Sequence, residues 1–231
     1  MNYYFLLEDE KSLLKVLPEW FKHMNFNCER VVDIKSVQNR NYVLQSGQGV
    51  TQLITKVLFE TIDTIIDNPE TIDKLVVILD AEEENIEDRK QQVFSKIEEK
   101  YKLNQLDFEI KVFVCNHCFE SWLLGYKEMY PENEVDSNSF FYPFYSYYDV
   151  SKNDPELMMV PKNCDDTIAK YHFHYLHEML RYKNIRYNKN KPNVVADVTY
   201  FNGLIRRIHS TNHIKSFEEF VRFIENENRI C

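Results

Sequence analysis

The chain lacks several signatures that would settle its class at once. No apolar run approaches the roughly 18 residues that a membrane helix needs, and acids stand where an export signal would carry a basic start and an apolar stretch. These absences predict an unexported, cytoplasmic protein with no membrane partner. There are no internal repeats and no low-complexity tract. QSGQGVT has no Gly-Lys-Ser/Thr ending, so it is not a nucleotide-cradling P-loop. A Ser-His-Asp hydrolase has no nucleophile elbow to stand on. The five cysteines, Cys28, Cys115, Cys118, Cys164 and Cys231, are odd in number and irregularly spread, which predicts reduced thiols rather than a disulfide framework.

What is present is an ordinary globular composition, 231 residues with 44% hydrophobic, enough to bury a substantial core. The net charge of −9 argues against simple polyanion binding, but its distribution is uneven. Between Arg181 and Lys215 stand eight basic residues, Arg181, Lys183, Arg186, Lys189, Lys191, Arg206, Arg207 and Lys215, against the single acid Asp197. An acidic half with a basic strip suits a metal-dependent enzyme acting on a polyanion, although charge runs are often just solvated faces.

Strand and helix patterns alternate through residue 126. Tyr3 to Leu7 reads as a short buried strand. Leu13, Leu17, Trp20 and Met24 share a helical face that Pro18 is expected to kink or end. Glu29 to Ser36 reads as a second strand. QSGQG leads into a helix carrying Val50, Ile54, Val57, Leu58, Thr61, Ile62 and Ile65, stopped by NPE at 68–70. LVVILD, 75–80, is apolar throughout and predicts a central strand covered on both faces. A helix with Ile86, Val93, Phe94 and Ile97 inward, the strand FEIKVFV at 108–114 and a turn of helix at FESWLLGY follow. The pattern predicts an α/β domain over 1–128, with a mostly parallel sheet flanked by helices. An aromatic, irregular insertion packed on it is expected over 129–163, its stretch 140–148 being a candidate docking patch, and a helical C-terminal extension over 164–231. Ser216 is the expected N-cap of the last helix.

Ligands of open parallel sheets bind beyond the carboxyl ends of the strands. Glu8 follows the first strand, Asp80 closes the central one, and Glu120 lies just past the last. Strand-end acids are common singly; three on separate strands form a cluster that repels itself unless something positive joins it. Oxygen-only ligands suit Mg²⁺ or Mn²⁺, and Glu82 offers a further carboxylate. Glu83, Glu84, Glu87 and Asp88 are read as helix-start acids. Cys115 and Cys118 form a C-x-x-C without the second pair that zinc requires, and are read as buried thiols. In YHFHYLHEML the Tyr, Phe and Leu are read as packing inward, with His172, His174 and His177 at the boundary of the buried face rather than as a metal site.

Two families resemble this arrangement. FLLEDEKSLL resembles the start of a phospho-acceptor receiver, which would make Asp80 the phosphorylated residue; that likeness stops at the first helix. LLEDEKS, QSGQGVTQLI, LVVILDAEE and CNHCFESWLLG, in that order over residues 1–126, resemble the RloB-like and OLD-family TOPRIM proteins. Two positions depart from that pattern: Asp9 where a small residue is usual, and Glu82 as the second acid of the Asp-x-Asp pair. The resemblance implies a Rossmann-like TOPRIM fold and a Mg²⁺- or Mn²⁺-dependent nuclease of DNA or RNA, of the kind found in bacterial or phage-conflict systems, often beside a partner ATPase. It implies metal ligands at Glu8, Asp80, Glu82 and Glu120, and a transition-state lysine for which Lys189 is the candidate, with Lys191 beside it. The nucleic-acid backbone would lie on Arg181, Lys183, Arg186, Lys189, Lys191, Arg206 and Arg207. A TOPRIM-like scaffold without catalysis, serving a defence complex, is the alternative.

Overall fold

The computed structural model describes residues 1–230; Cys231 lies outside the described residues. The elements run β1 (Tyr3–Leu7), α1 (Leu13–His23), β2 (Glu29–Val31), β3 (Asn41–Ser46), α2 (Val50–Gln52), a π-helical turn (Leu53–Val57), α3 (Leu58–Ile66), β4 (Lys74–Asp80), α4 (Ile86–Glu98), β5 (Glu109–Cys115), α5 (Phe119–Leu123), α6 (Tyr142–Tyr147), α7 (Ile168–Tyr182), α8 (Asn193–Ala196), α9 (Val198–Ser210) and α10 (Lys215–Ile230). The five strands form one sheet in the order β2-β3-β1-β4-β5, with every pair parallel. This is an α/β architecture of Rossmann-like type with a helical C-terminal region. No helix of the described residues is long and apolar enough to cross a membrane.

Side chains alternate between the two faces of each strand, and both faces are buried. Phe5, Tyr42, Leu44, Val76, Ile78 and Phe113 share one core with α1 and residues of the C-terminal helices; Tyr4, Leu6, Val43, Leu75, Val77, Val112 and Val114 share another with α3 and α4. The segments beyond residue 128 therefore supply much of one layer over the sheet. Trp20 of α1 is central to that layer: its ring centroid lies 5.7 Å from that of Phe119, 5.5 Å from Phe201 and 5.5 Å from Phe217, and its Nε1 donates to the Val195 carbonyl at 3.0 Å. The aromatic insertion packs its Phe141 against Tyr175 of α7 at 5.6 Å.

Four expectations need correction. Pro18 neither breaks nor ends α1; Val16, Leu17, Trp20 and Phe21 on either side of it are buried, and that packing outweighs one missing N–H. The second strand stops at Val31, and Ile34–Ser36 is a 3-10 turn started by the Asp33 side chain. The strand Asn41–Ser46, between β2 and β1, lies in a stretch the pattern left unassigned. Ser216 sits inside the first turn of α10 rather than capping it; its hydroxyl donates to Glu156 and accepts from Trp122 Nε1 at 2.6 Å. LVVILD is an interior strand, with β1 at the centre of the sheet.

Candidate functional site

The carboxyl ends of β1, β4 and β5 are adjacent in the sheet, so the residues that follow them share one edge. Glu8 is held there by the register itself: its N–H donates to the Ile78 carbonyl at 2.9 Å, and its Oε2 accepts the Asp80 N–H at 2.7 Å. The Val50 N–H, at the start of α2, also donates to its carboxylate. Gly49 makes that approach possible, since its φ of +86° is a conformation that side chains disfavour. Burial raises the Glu8 pKa to about 7, with the charge of Glu82 adding to the rise; the Asp80 and Val50 amides and Arg89 oppose it.

Asp9 has a different task. Its carboxylate accepts the N–H of Lys11, the N–H of Ser12 at 2.7 Å and the Ser12 hydroxyl at 2.8 Å, and so shapes the turn that launches α1. The departure from a small residue at this position is thereby explained locally. Its charge also reaches Asp80 and Lys189.

Asp80 carries the strongest frustration. Burial pushes its carboxyl well above the usual carboxylate range, and the charges of Glu8, Glu120 and Asp9 push the same way, against Lys189 alone. Glu120, in the first turn of α5, is only 2% exposed. Lys189 Nζ lies 2.8 Å from its Oε1, yet that oxygen has no aligned hydrogen bond. Burial pulls the Lys189 pKa down, but Glu120, Asp9 and Asp80 outweigh it and leave the ammonium above its ordinary range. Lys189 thus reaches the cluster from the segment joining α7 to α8, which Lys15 anchors by donating to the Asn190 carbonyl at 2.7 Å.

Glu82 stands at the rim. Its backbone is left-handed, with φ 55°, and its carboxylate lies 3.7 Å from Arg89 Nη2. Arg89 is buried and donates to the Ala81 carbonyl at 2.9 Å. Neither Arg89 nor Tyr187 was singled out by the sequence pattern. The Tyr187 hydroxyl is buried beside Ser12, and its pKa is raised by burial and by the charge of Glu120 against the opposing hydrogen bond to Ser12. Its position two residues before Lys189, in YNKNKP, was the available signal.

Glu8, Asp80, Glu120 and Lys189 are therefore brought into one electrostatically coupled group, with Glu82 at its edge. Among the described residues no three His, Cys, Asp or Glu side chains stand as a ready metal-ligand group: Glu8 is turned to backbone amides, Glu120 to Lys189 and Glu82 to Arg89. The donor set is nonetheless all oxygen and rich in acid, which is the chemistry a hard divalent cation takes. Glu120 is a buried carboxylate whose charge is met by Lys189 alone among the described basic side chains, and an ion entering the cluster would share that charge with the ammonium.

The basic strip divides. Arg207 is corrected outright as a nucleic-acid contact: it is 1% exposed and its guanidinium donates to the carbonyls of Val150, Asn153 and Ser151 at 2.9, 3.0 and 2.7 Å, clamping the insertion. Arg206 pairs with Glu128 at 3.2 Å, and Arg181 with Glu178 at 3.1 Å. Lys183, Arg186 and Lys191 have no ion pair among the described residues. Of the histidines, His172 is fully buried rather than at a boundary, held by the Ser121 hydroxyl at 2.9 Å and the Met158 carbonyl at 2.7 Å, and burial lowers its pKa to about 4. His174 pairs with Asp166 and His177 with Glu178. Cys115 and Cys118 are buried free thiols whose pKa values are raised by burial first and then by Asp80 and Glu120, which disfavours the thiolates that zinc would need.

The fold and the site define an all-parallel α/β protein with an acid cluster and one lysine at the carboxyl edge of its sheet. No protein-family model matches the chain, and no curated protein and no solved structure matches it either.

Proposed function

We propose that the chain is a TOPRIM-like, Mg²⁺- or Mn²⁺-dependent phosphodiesterase, a nuclease acting on DNA or RNA. The observation that carries this reading is the meeting of Glu8, Asp80 and Glu120, from three strand ends, with the ammonium of Lys189. Structural ion pairs are usually balanced; a buried excess of acid at the ligand-binding edge is the mark of a site.

In this reading Glu8, Asp80 and Glu120 hold the ion, with Glu82 able to join from the rim. A bound ion would polarise a phosphoryl oxygen and acidify a water. Lys189 then turns from Glu120 towards the phosphoryl oxygens and offsets their growing negative charge. Glu8 alternatively serves as the general base, taking the proton of an attacking water in place of ligating the ion. The family resemblance that supports this reading implies a bacterial or phage-conflict setting and a partner ATPase. The closed arrangement of the cluster favours one rival, a scaffold that has lost catalysis.

The test is direct. Plasmid, single-stranded DNA and tRNA are incubated with the protein in Mg²⁺, Mn²⁺ or chelator. Metal-dependent cleavage is expected, reduced at least about a hundredfold in Asp80→Asn and Glu8→Gln, with circular dichroism unchanged. Nucleic-acid or metal binding without cutting under every condition would overturn the enzyme reading in favour of the scaffold.

A further inference from the structure

A cavity of ≈400 Å³ opens beside the C-terminal end of α7, walled by His177, Arg181, Asn184, Ile185 and Arg186. Its charges do not cancel. The carboxylate of Glu178 meets Arg181 Nη1 at 3.1 Å and His177 Nδ1 at 2.8 Å, so one acid stands against two guanidinium groups. Arg186 is exposed and has no ion-pair partner among the described residues. Basic groups near a helix C-terminus also offset the helix dipole. Arg181, in the last turn of α7, meets that need; Arg186 lies beyond the end of the helix and does not.

Arg181 is also preset. Its guanidinium lies over the ring of Phe140, 4.2 Å from the centroid, which fixes the plane of the fork before any ligand arrives. Planar forked donors match phosphate oxygens better than a point charge does. The cavity is joined to the acid cluster by contacts: Lys189 Nζ lies 5.1 Å from the Phe173 centroid, and that ring lies 6.1 Å from the ring of His177. At a rise of about 3.4 Å per nucleotide along one strand, that separation is on the order of a few nucleotides.

We propose that this cavity is a phosphate subsite, taking a backbone phosphate of a nucleic-acid strand a few nucleotides away from the group held at Glu8, Asp80 and Glu120. The identity of the strand as substrate rests on the nuclease reading; the binding itself needs no metal. The full chain is titrated in chelator with inorganic phosphate, with a short single-stranded DNA, and with the same DNA carrying one uncharged methylphosphonate at each position in turn. Arg186→Ala is expected to weaken DNA binding about fivefold to tenfold and to lower the slope of log affinity against log salt by about one. At one position the methylphosphonate should abolish the difference between Arg186→Ala and the unsubstituted protein. Lys102→Ala, an equal charge change on an exposed residue after α4, should leave binding unchanged.

Equal binding by Arg186→Ala, an equal loss in Lys102→Ala, or no DNA binding at all would overturn the subsite. Arg186-dependent binding of inorganic phosphate without Arg186-dependent binding of DNA would overturn its assignment to a strand. The two readings fail separately. Cleavage in metal with an indifferent Arg186 removes only the subsite, whereas Arg186-dependent DNA binding without cleavage removes only the nuclease.

Discussion

At the amino-terminal end of the sheet, Lys74 Nζ lies 2.6 Å from Glu227 and 3.2 Å from Glu109, and Tyr3 donates its hydroxyl to the other oxygen of Glu227 at 2.7 Å. At the carboxyl-terminal end, the charges of Glu8, Glu120 and Asp9 bear on Asp80, opposed there by Lys189, while Arg89 acts on Glu8 from the rim. The same strands run between these two ends. The first arrangement ties α10 to the sheet with its charges and donors matched; the second gathers like charges around Asp80 with Lys189 opposing them. Buried like charges that are not fully offset cost stability, and a fold retains them where they serve something other than folding.

The largest effect that would sharpen this contrast is at the matched end. Glu227→Ala strips Lys74 of its closer partner and removes the carboxylate that accepts the Tyr3 hydroxyl at 2.7 Å, and is expected to cost about 3 kcal/mol, read as a lower urea midpoint at unchanged slope. The opposite sign is expected at the other end. Asp80→Asn relieves repulsion among the acids and should stabilise the metal-free protein by up to about 2 kcal/mol at pH 8, in the same urea titration. A loss of stability in Asp80→Asn would break the contrast, because it would make the acid cluster a structural network like the one at Lys74.

The matched end was nearly invisible in the sequence, and the frustrated end was not. Glu8 and Asp80 directly end apolar runs and Glu120 lies a few residues past one, at the start of α5, and an apolar run followed by an acid is readable as a strand end even when the partner strand is unknown. Glu227 offers no such cue; its bond to Tyr3 joins residues from the two ends of the chain. β3 escaped because Asn41, Gln45 and Ser46 interrupt its apolar pattern, although Tyr42, Val43 and Leu44 are buried. Arg206 and Arg207 show the limit for charge: as neighbours on α9 they look alike in the sequence, yet one is exposed and the other fills a cage of carbonyls. Which face of a helix meets the protein is decided by segments far away in the chain.

The smallest effect separates Glu8 from its surroundings by pH. Its folded pKa of about 7 stands above the ordinary 4.5, so between those values the native protein holds a proton that the unfolded chain has released. Stability must then fall as pH rises through that window, be independent of this group below it, and carry the full cost of the ionised carboxylate above it. One independent group would give a slope of at most about 1.4 kcal/mol per pH unit. Glu8 is coupled to its acidic neighbours and shares its proton equilibrium with them, so Glu8→Gln should flatten the slope by only about 0.5 kcal/mol per pH unit. Glu156, pushed by burial to about 7 beside Ser216, contributes a slope of the same sign that Glu8→Gln leaves in place. Urea titrations of both proteins from pH 4.5 to 8 measure the difference. Parallel curves would mean that the Glu8 proton is not held at the acid cluster, and the strain assigned to the carboxyl edge would then belong to Asp80 and Glu120 alone.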